Sequence, residues 1–456
     1  MPRGYIRQVL AFPSSDRLFA IKLREGLDGV IKDVPYLLCG VVSDDVVRGS
    51  VSLTEPYQTP DDLFSWQDLS FSLDYASLRR SNFTPGAFDM PDLLPPETVP
   101  PFQAPSPVFR ARLSVATGGF VLCVAVHHTV TDITGFGSLL GLWASYCRSG
   151  SSAPIRFDQT WLDRRSLSGY LRPTAERPRA MVIPKLLHIR QATSHITAVS
   201  NGGGSQAEYK SGIFFFSLKS LQEVKQVVNY SIAVFEPDSW VSTNDIITTV
   251  LWCALIEAEM LGSDAQSVSA IGFPVNFRPR LNPPLPGGYL GAAFMMTTAK
   301  ATIEDLLSYS TEGRKTKDKA LGFDWASSLA RTALKIRKSI NAVDTDSVRE
   351  VLEYLDDHTD DVQPIVLGPR HGGISIVSWA DQEVYQLDWG EVIGCCEAVR
   401  LPRPARKRYP IILPRVPDSH ESGGGFEVFV SLEEAAFKRF ERSWPISQLA
   451  ELRCAA

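Results

Sequence analysis

Two adjacent histidines followed at a fixed interval by an aspartate, His127-His128-Thr129-Val130-Thr131-Asp132, are the residues of this chain best placed to do chemistry. An imidazole has an unperturbed pKa of roughly 6.5, so near pH 7 it is neutral and ready to take a proton from a hydroxyl or an amine. A bare His-x-x-x-Asp spacing carries little weight alone in a chain with seven histidines. Its position gives it more. The apolar run Phe120-Val121-Leu122-Cys123-Val124-Ala125-Val126 reads as a buried strand by its length and β-branched content. The periodic segment Ile133 to Tyr146 reads as a helix. The histidines therefore stand where a core strand ends and a helix begins, held rigidly yet able to reach a cavity. Side chains alternate faces along a strand, so only one of the two can enter a given cavity.

The elements that hold this junction are legible in part. Ser14 to Lys32 has the spacing of an amphipathic helix, with Ser15 or Asp16 as its cap and Leu18, Leu23, Leu27 and Val30 turned inward. Pro35 then opens an apolar strand, Tyr36 to Val42. Thr54 to Pro107 is rich in Pro, Asp and Ser and reads as surface loop. Phe109 to Val115 alternates with period two, and Thr117-Gly118-Gly119 supplies a turn, so this strand hairpins into the one that carries the histidines. Patterning weakens from Arg148 to Tyr209. The run Asn201-Gly202-Gly203-Gly204-Ser205 reads as a flexible linker, because no strand–turn–helix frames it as a phosphate loop. A second half starts at Gly212-Ile213-Phe214-Phe215-Phe216 and runs strand, helix, helix, strand to Val430, closed by a helix from Ser431 to Arg442.

Taken with their flanks, these residues resemble the BAHD acyltransferases, which use coenzyme A thioesters. Thr117 to Leu122, the strand, and His127-His128-x-x-x-Asp132 are similar to the active-site segment of that family. Further patches follow in the family's order: Ser242-Thr243-Asn244-Asp245 opening a helix with Trp252, Val275 to Leu281 leading into Pro283 to Gly291, Ser378-Trp379, Leu387-Asp388-Trp389-Gly390, Glu397 to Arg400, and Gly424 to Val428. The chain departs from the plant pattern. Asp-Phe-Gly-Trp-Gly is reduced to Asp388-Trp389-Gly390, the glycine after the motif aspartate is Ile133 with Gly135 two residues on, and Ala292 replaces a common asparagine. These looser forms resemble the fungal branch, typified by trichothecene 3-O-acetyltransferase.

The resemblance implies an α/β protein of two chloramphenicol-acetyltransferase-like lobes, with mixed β-sheets flanked by helices and joined by a long crossover. Residues 1–200 would form the lobe with the histidine motif and residues 201–456 the lobe with Asp388-Trp389-Gly390. It implies His128 as the general base and His127 as a packing or support residue. Asp132 would brace the loop through an arginine, although a triad-like orientation of the imidazole also fits its spacing. Arg278 and Arg280 are the natural partners, one for Asp132 and the other for Asp388. Trp379 is read equally as a hydrogen-bond donor to the reacting oxygen or as a core aromatic, and Val377 lacks the hydroxyl that relatives often carry there. Asp388, Trp389 and Gly390 would form a structural loop away from the reacting atoms. A kinase-like metal role for them lacks its companion motifs.

The implied activity is transfer of an acyl group, by default acetyl, from acyl-CoA to a hydroxyl, or an amine, of a small-molecule secondary metabolite. Acyl-CoA is then a co-substrate; no cofactor and no metal are expected. Two other readings share some of these features. A condensation-type enzyme has the same motif but takes carrier-protein thioesters, and a non-catalytic binding protein could reuse the channel.

Composition is consistent with this class. A length of 456 residues suggests two domains. A hydrophobic content of 44% with 21% charged residues is that of a globular protein, and a net charge of −5 offers no basic footprint for nucleic acid. No apolar run approaches the roughly 20 residues of a membrane helix, and the first residues lack a secretory core. Seven cysteines without framework spacing suit a reducing, cytoplasmic setting, with Cys39, Cys123 and Cys253 as small core hydrophobes. A monomer is expected. Asp356-Asp357-His358-Thr359-Asp360-Asp361 matches no metal-site spacing and reads as a solvated charge run.

Overall fold

The computed structural model describes residues 4–14, 16–43, 50–98, 104–149, 155–177, 184–186, 209–259, 264–315, 323–357, 374–402, 409–420 and 423–456. The linker reading at Asn201 to Ser205, the 200/201 boundary, and His358 to Asp361 lie outside these residues.

The strand that carries the motif, Gly119–His127, is buried along its whole length. Its sheet explains why. It lies between Tyr5–Phe12 and Phe109–Ala116, antiparallel to both, in a five-stranded sheet completed by Phe64–Asp68 on one side and Ala398–Arg400 on the other. Phe120, Leu122, Val124 and Val126 point into one core, with Leu23, Leu27, Leu139 and Trp143 of the helices Phe19–Asp33 and Ile133–Ser149. Val121 and Cys123 point into a second core on the opposite face, with Leu73, Tyr75, Leu78, Phe88 and Leu93. A strand covered on both faces has no use for polar alternation, hence its unbroken apolar run. The expected hairpin is present, turned at Gly118 with φ of +81°.

Several expectations are corrected here. The first helix begins at Phe19, and Leu18 is exposed, because Asp16 accepts the Leu18 N–H in a turn ahead of the helix. Pro35–Leu38 is a 3₁₀ turn, and the strand that follows is only Gly40–Ser43. The Thr54 to Pro107 region is not merely surface loop. Its residues 64–68 pair in parallel with Phe109–Ala116, and its leucines cover the second face of the sheet.

The second half has its own core around the helix Thr243–Glu259, whose Ile246, Val250, Trp252 and Leu255 are inaccessible. A reciprocal cap fixes where that helix starts: Ser242 Oγ accepts the Asp245 N–H at 3.2 Å, and Asp245 accepts the Ser242 N–H at 2.7 Å. Around it stand a five-stranded sheet, in the order 377–378, 411–412, Gly425–Glu433, Tyr209–Ser217, Glu451–Ala455, and a three-stranded sheet of Phe294–Thr302, Val268–Asn276 and Ile374–Ser375. The closing helix is Glu434–Arg442. Residues 431–433 remain strand, and a short helix and strand follow it.

The chain then does something that local periodicity does not show. Val384, Tyr385, Trp389, Ile393, Cys396 and Val399 pack into the first core. Trp389 sits edge-on to Phe12 at 5.7 Å and to Trp143 at 5.6 Å between ring centroids. The Asp388-Trp389-Gly390 motif thus belongs physically to the half that bears the histidines. Where Ala398–Arg400 joins Tyr5–Phe12, Arg400 reaches across to Glu427 of the second sheet, at 2.6 and 3.2 Å, and Arg453 adds a third bond to Glu427 at 3.0 Å.

Candidate active site

His127 ends the strand and His128 is the first residue past it, its N–H donating to Gly4 O at 2.7 Å. The alternation of faces separates the two rings. His127 is buried, its Nδ1 2.8 Å from Thr129 Oγ1 and its ring edge-on to Tyr5 at 5.1 Å. His128 instead lines a cavity of about 2090 Å³ walled by both halves of the chain, with the Phe294 ring 6.0 Å away between centroids. His128 Nδ1 is buried without a hydrogen-bond partner among the described residues, so Nε2 is the nitrogen left to meet a substrate. Burial pushes the imidazole pKa below its ordinary value, partly opposed by the nearby carbonyls of His128 and Thr131 and the Asp132 carboxylate. Neutral imidazole is therefore the resting form at pH 7.

Asp132 turns away from that ring. Its carboxylate is gripped end-on by Arg278, Nη1 to Oδ2 at 2.8 Å and Nη2 to Oδ1 at 2.9 Å. It also accepts the N–H groups of Gly135 at 3.0 Å and Ala293 at 2.7 Å. Both ion-pair partners are buried. Arg278 spends its remaining donors on the carbonyls of Tyr289 and Gly291 and on Asn276 Oδ1. The pair thus fastens the turn after the histidines to the loop beyond Val268–Asn276. Gly135 is needed for this fit, since a Cβ there would lie 2.4 Å from Thr131 Oγ1 and 2.7 Å from Leu290 O.

The second expected pairing is corrected. Asp388 meets Arg148 at 3.2 Å, and both are exposed. Arg280 donates to the carbonyls of Ile340 and Val343 at 3.0 and 3.1 Å. Asp388 also accepts the Gly390 N–H at 2.9 Å, closing a small loop that sets Trp389 into the core. None of Asp388, Trp389 and Gly390 lines the cavity, whereas Arg280 does. Trp379 lines it too. It is 8% exposed, with its body packed against Ile213, Ile411, Leu413 and Phe429.

One polar residue on the cavity wall, Gln382, was not singled out in the sequence. Gln382 Nε2 donates to Ile133 O at 3.0 Å, its Oε1 accepts from Gln8 Nε2 at 2.5 Å, and its N–H donates to Trp379 O at 2.9 Å. Gln382 so ties the start of the motif helix to the Trp379 turn. Its partner Gln8 is fully buried beside Arg7 in the strand Tyr5–Phe12, and nothing in the sequence marks the pairing. Ser378 Oγ donates to Asn244 Oδ1 at 2.8 Å, and both line the cavity. Asp356 and Asp357 are not merely solvated; they hold Arg177 at 2.9 and 2.5 Å. Among the described residues no group of three His, Cys, Asp or Glu is placed to hold a metal ion, and no helix is long and apolar enough to cross a membrane.

Fold and site together define an acyltransferase class, and the known proteins agree. Residues 90–445 match the Transferase family, and residues 8–147 match the trichothecene 3-O-acetyltransferase-like N-terminal domain. The chain belongs to that family of BAHD-type, acyl-CoA-dependent acyltransferases, in its fungal branch. Among its relatives is the O-acetyltransferase ptmV of Penicillium ochrochloron, 25% identical over 96% of this chain and 92% of the relative. The O-acetyltransferase anaAT of Neosartorya fischeri is 24% identical over 95% and 92% respectively. In fold, F. graminearum TRI101 complexed with coenzyme A and deoxynivalenol aligns with a TM-score of 0.80 at 20% identity, over 99% of this chain and 96% of that one.

Proposed function

We propose that the protein transfers an acetyl group from acetyl-CoA to a hydroxyl of a small-molecule secondary metabolite, with His128 as general base. One observation carries this reading: His128 stands on the wall of a cavity shared by both halves, while Asp132 is committed to Arg278. A base of lowered pKa is present in its working form at neutral pH.

The chemistry follows from that placement. The acceptor O–H gives its proton to His128 Nε2 as its oxygen attacks the thioester carbonyl carbon. The tetrahedral intermediate collapses with cleavage of the C–S bond, and the departing thiolate takes the proton back from the imidazolium. Holding donor and acceptor on either side of one ring makes the encounter effectively unimolecular. Asp132 with Arg278 fixes the turn that aims the ring and takes no part in proton transfer. Trp379, on the cavity wall, offers its indole N–H as a donor to the reacting oxygen. Asp388, Trp389 and Gly390 act as structure, locking the returning segment to the first core. In this reading residues 1–200, joined by the returning segment 384–400, and the remainder of 201–456 are two lobes of one catalytic unit, working as a cytoplasmic monomer with acyl-CoA as co-substrate and no bound cofactor.

The test is to incubate the protein with acetyl-CoA and a panel of polycyclic alcohols and follow release of free thiol. Acceptor-dependent release that disappears in His128→Ala is the expected result. Transfer from a carrier-protein thioester but not from free acetyl-CoA would overturn the donor assignment.

A further inference from the structure

Apart from the catalytic cavity, the described residues enclose a smaller one of about 150 Å³, and the two have no lining residue in common. It has room for a few water molecules or one small ion, a water's share of liquid volume being ~30 Å³. Both halves of the chain build its wall. Arg79 comes from the helix Tyr75–Arg80, Tyr385, Glu397 and Arg400 from the returning segment, and Glu427 and Arg453 from the second five-stranded sheet.

The acceptors of this wall are already in use. Glu397 takes the Tyr75 hydroxyl proton and Arg79 Nη2, each at 2.8 Å. Glu427 is held by Arg400 and Arg453. The carbonyls of Asn82 and Phe83 take further Arg400 donors at 2.9 and 2.8 Å, and the Glu397 carbonyl takes His420 Nε2 at 3.1 Å. Asn82 and Phe83 stand at φ of +52° and +51°, a region that residues other than glycine rarely enter. Arg400 thus holds a strained turn against the cavity, and strain of this kind clusters at ligand sites.

What the wall has left over is donors. Arg453 spends Nη1 on Glu427 and lies on the face of the Phe215 ring at 3.5 Å, while its Nε and Nη2 meet no acceptor among the described residues. Tyr385, 7% exposed, accepts the Val399 N–H at 3.2 Å, and its own hydroxyl proton has no acceptor among the described residues. A buried donor without an acceptor is unfavourable. The charge balance selects which acceptor would relieve it, since three guanidiniums line the cavity against two carboxylates.

We propose that this junction cavity binds a small oxyanion, either a tetrahedral one such as inorganic phosphate or a short carboxylate such as acetate. Its oxygens accept from Arg453 and Tyr385 together, as charge-assisted hydrogen bonds, and its charge offsets the excess cation. The ion joins residues of both halves beside the contact of Arg400 with Glu427, so that its occupancy strengthens their union. The site does not depend on the acyltransferase reading.

The test follows the melting temperature of the full chain at pH 7 and constant ionic strength, with chloride replaced stepwise by phosphate or by acetate, without and with coenzyme A. An ion that binds only the folded state raises the melting temperature with its concentration. The expected result is such a rise with one or both ions, persisting in the presence of coenzyme A. A rise with phosphate assigns a tetrahedral oxyanion, and a rise with acetate alone assigns a carboxylate. Arg453→Gln should weaken the apparent affinity at least about tenfold, and Tyr385→Phe about threefold or more. Each variant is judged by its own dependence on ion concentration, so a lower starting stability does not obscure the comparison. Should Arg453→Gln fail to fold, Tyr385→Phe carries it. The site is overturned when neither ion acts beyond chloride, or when folded variants respond as the unmodified protein does, the mark of a general salting effect. Loss of the rise on adding coenzyme A overturns it too, by placing the ion in the catalytic cavity.

Discussion

His128 can be removed with little loss of packing, because its ring lies on a cavity wall. His128→Ala should therefore keep its melting temperature within a few degrees while turnover falls about 10²–10⁴-fold. A folded variant with near-normal turnover would remove the mechanism. His127→Ala should show the reverse balance, since that ring is buried against Tyr5 and held to Thr129. The rate should also report the imidazole's environment. Burial lowers the His128 pKa, and the neutral form is the active one, so the acid limb of the pH–rate profile should lie below the ordinary value of about 6.5. The linkage has the same sign. A group whose folded pKa is depressed favours the folded state fully above its unfolded pKa, and this advantage is lost as pH falls through the folded one. An acid limb at or above 6.5 would contradict the buried ring. No thiol competes as nucleophile at this centre. Cys395 and Cys396 are absent from the cavity wall, and burial pushes both thiols up, away from the reactive thiolate. Initial-rate plots against both substrates should intersect, and intact mass after incubation with acetyl-CoA alone should show no adduct.

At the scale of elements, the Asp132–Arg278 pair decides whether the motif turn stays where the strand and helix leave it. Asp132→Asn weakens the grip on a buried guanidinium that no other described carboxylate reaches, a loss of up to about 3–5 kcal/mol. It should lower the melting temperature and the activity together. A shifted pH profile on an unchanged melting curve would mean that Asp132 tunes the imidazole instead. The family resemblance, not the spacing, pointed to this pair in outline: it implied an arginine partner for Asp132 and offered the two arginines of one short loop. Which arginine, and the true partner of Asp388, were not legible. Arg148 ends the motif helix, and only the packing of Trp389 brings Asp388 beside it. The strand with the histidines was legible because burial on both faces writes itself as an unbroken apolar run. The leucines of residues 69–94 were not, since they lie on short turns whose spacing shows no period. Periodicity tells which face is covered, not which distant segment covers it, and for this reason Gln382 and the returning segment had to be seen rather than read.

Across the whole molecule, the two halves are joined by Arg400 and Glu427, with Arg453 as a second cation on the carboxylate. Burial alone would raise the Glu427 pKa, but the two guanidiniums outweigh it and hold the carboxyl below its ordinary value. Its contribution to stability is therefore full above the ordinary carboxyl pKa and lost as pH falls through the depressed one. Glu427→Gln should be less stable than the unmodified protein at pH 7, by up to about 3–5 kcal/mol, and the gap should narrow near pH 3. Denaturant titrations at the two pH values check this, and an equal gap at both would mean that the carboxylate charge does not matter.

The return of residues 384–400 to the first core sets a timetable for the protein's own synthesis. The strand Tyr5–Phe12 emerges early, but its edge partner Ala398–Arg400 and the indole that covers Phe12 come near the end. At ~5–20 residues per second the wait is on the order of tens of seconds. Throughout it the nascent chain presents an open strand edge and an uncovered aromatic cluster, the kind of surface that invites pairing with a neighbour. A chain arrested before Val384 should therefore need a holding chaperone to stay in solution, and its release should follow translation of Arg400 rather than of the histidine motif. Ribosome-arrested chains ending on either side of that residue would show it by their protease resistance.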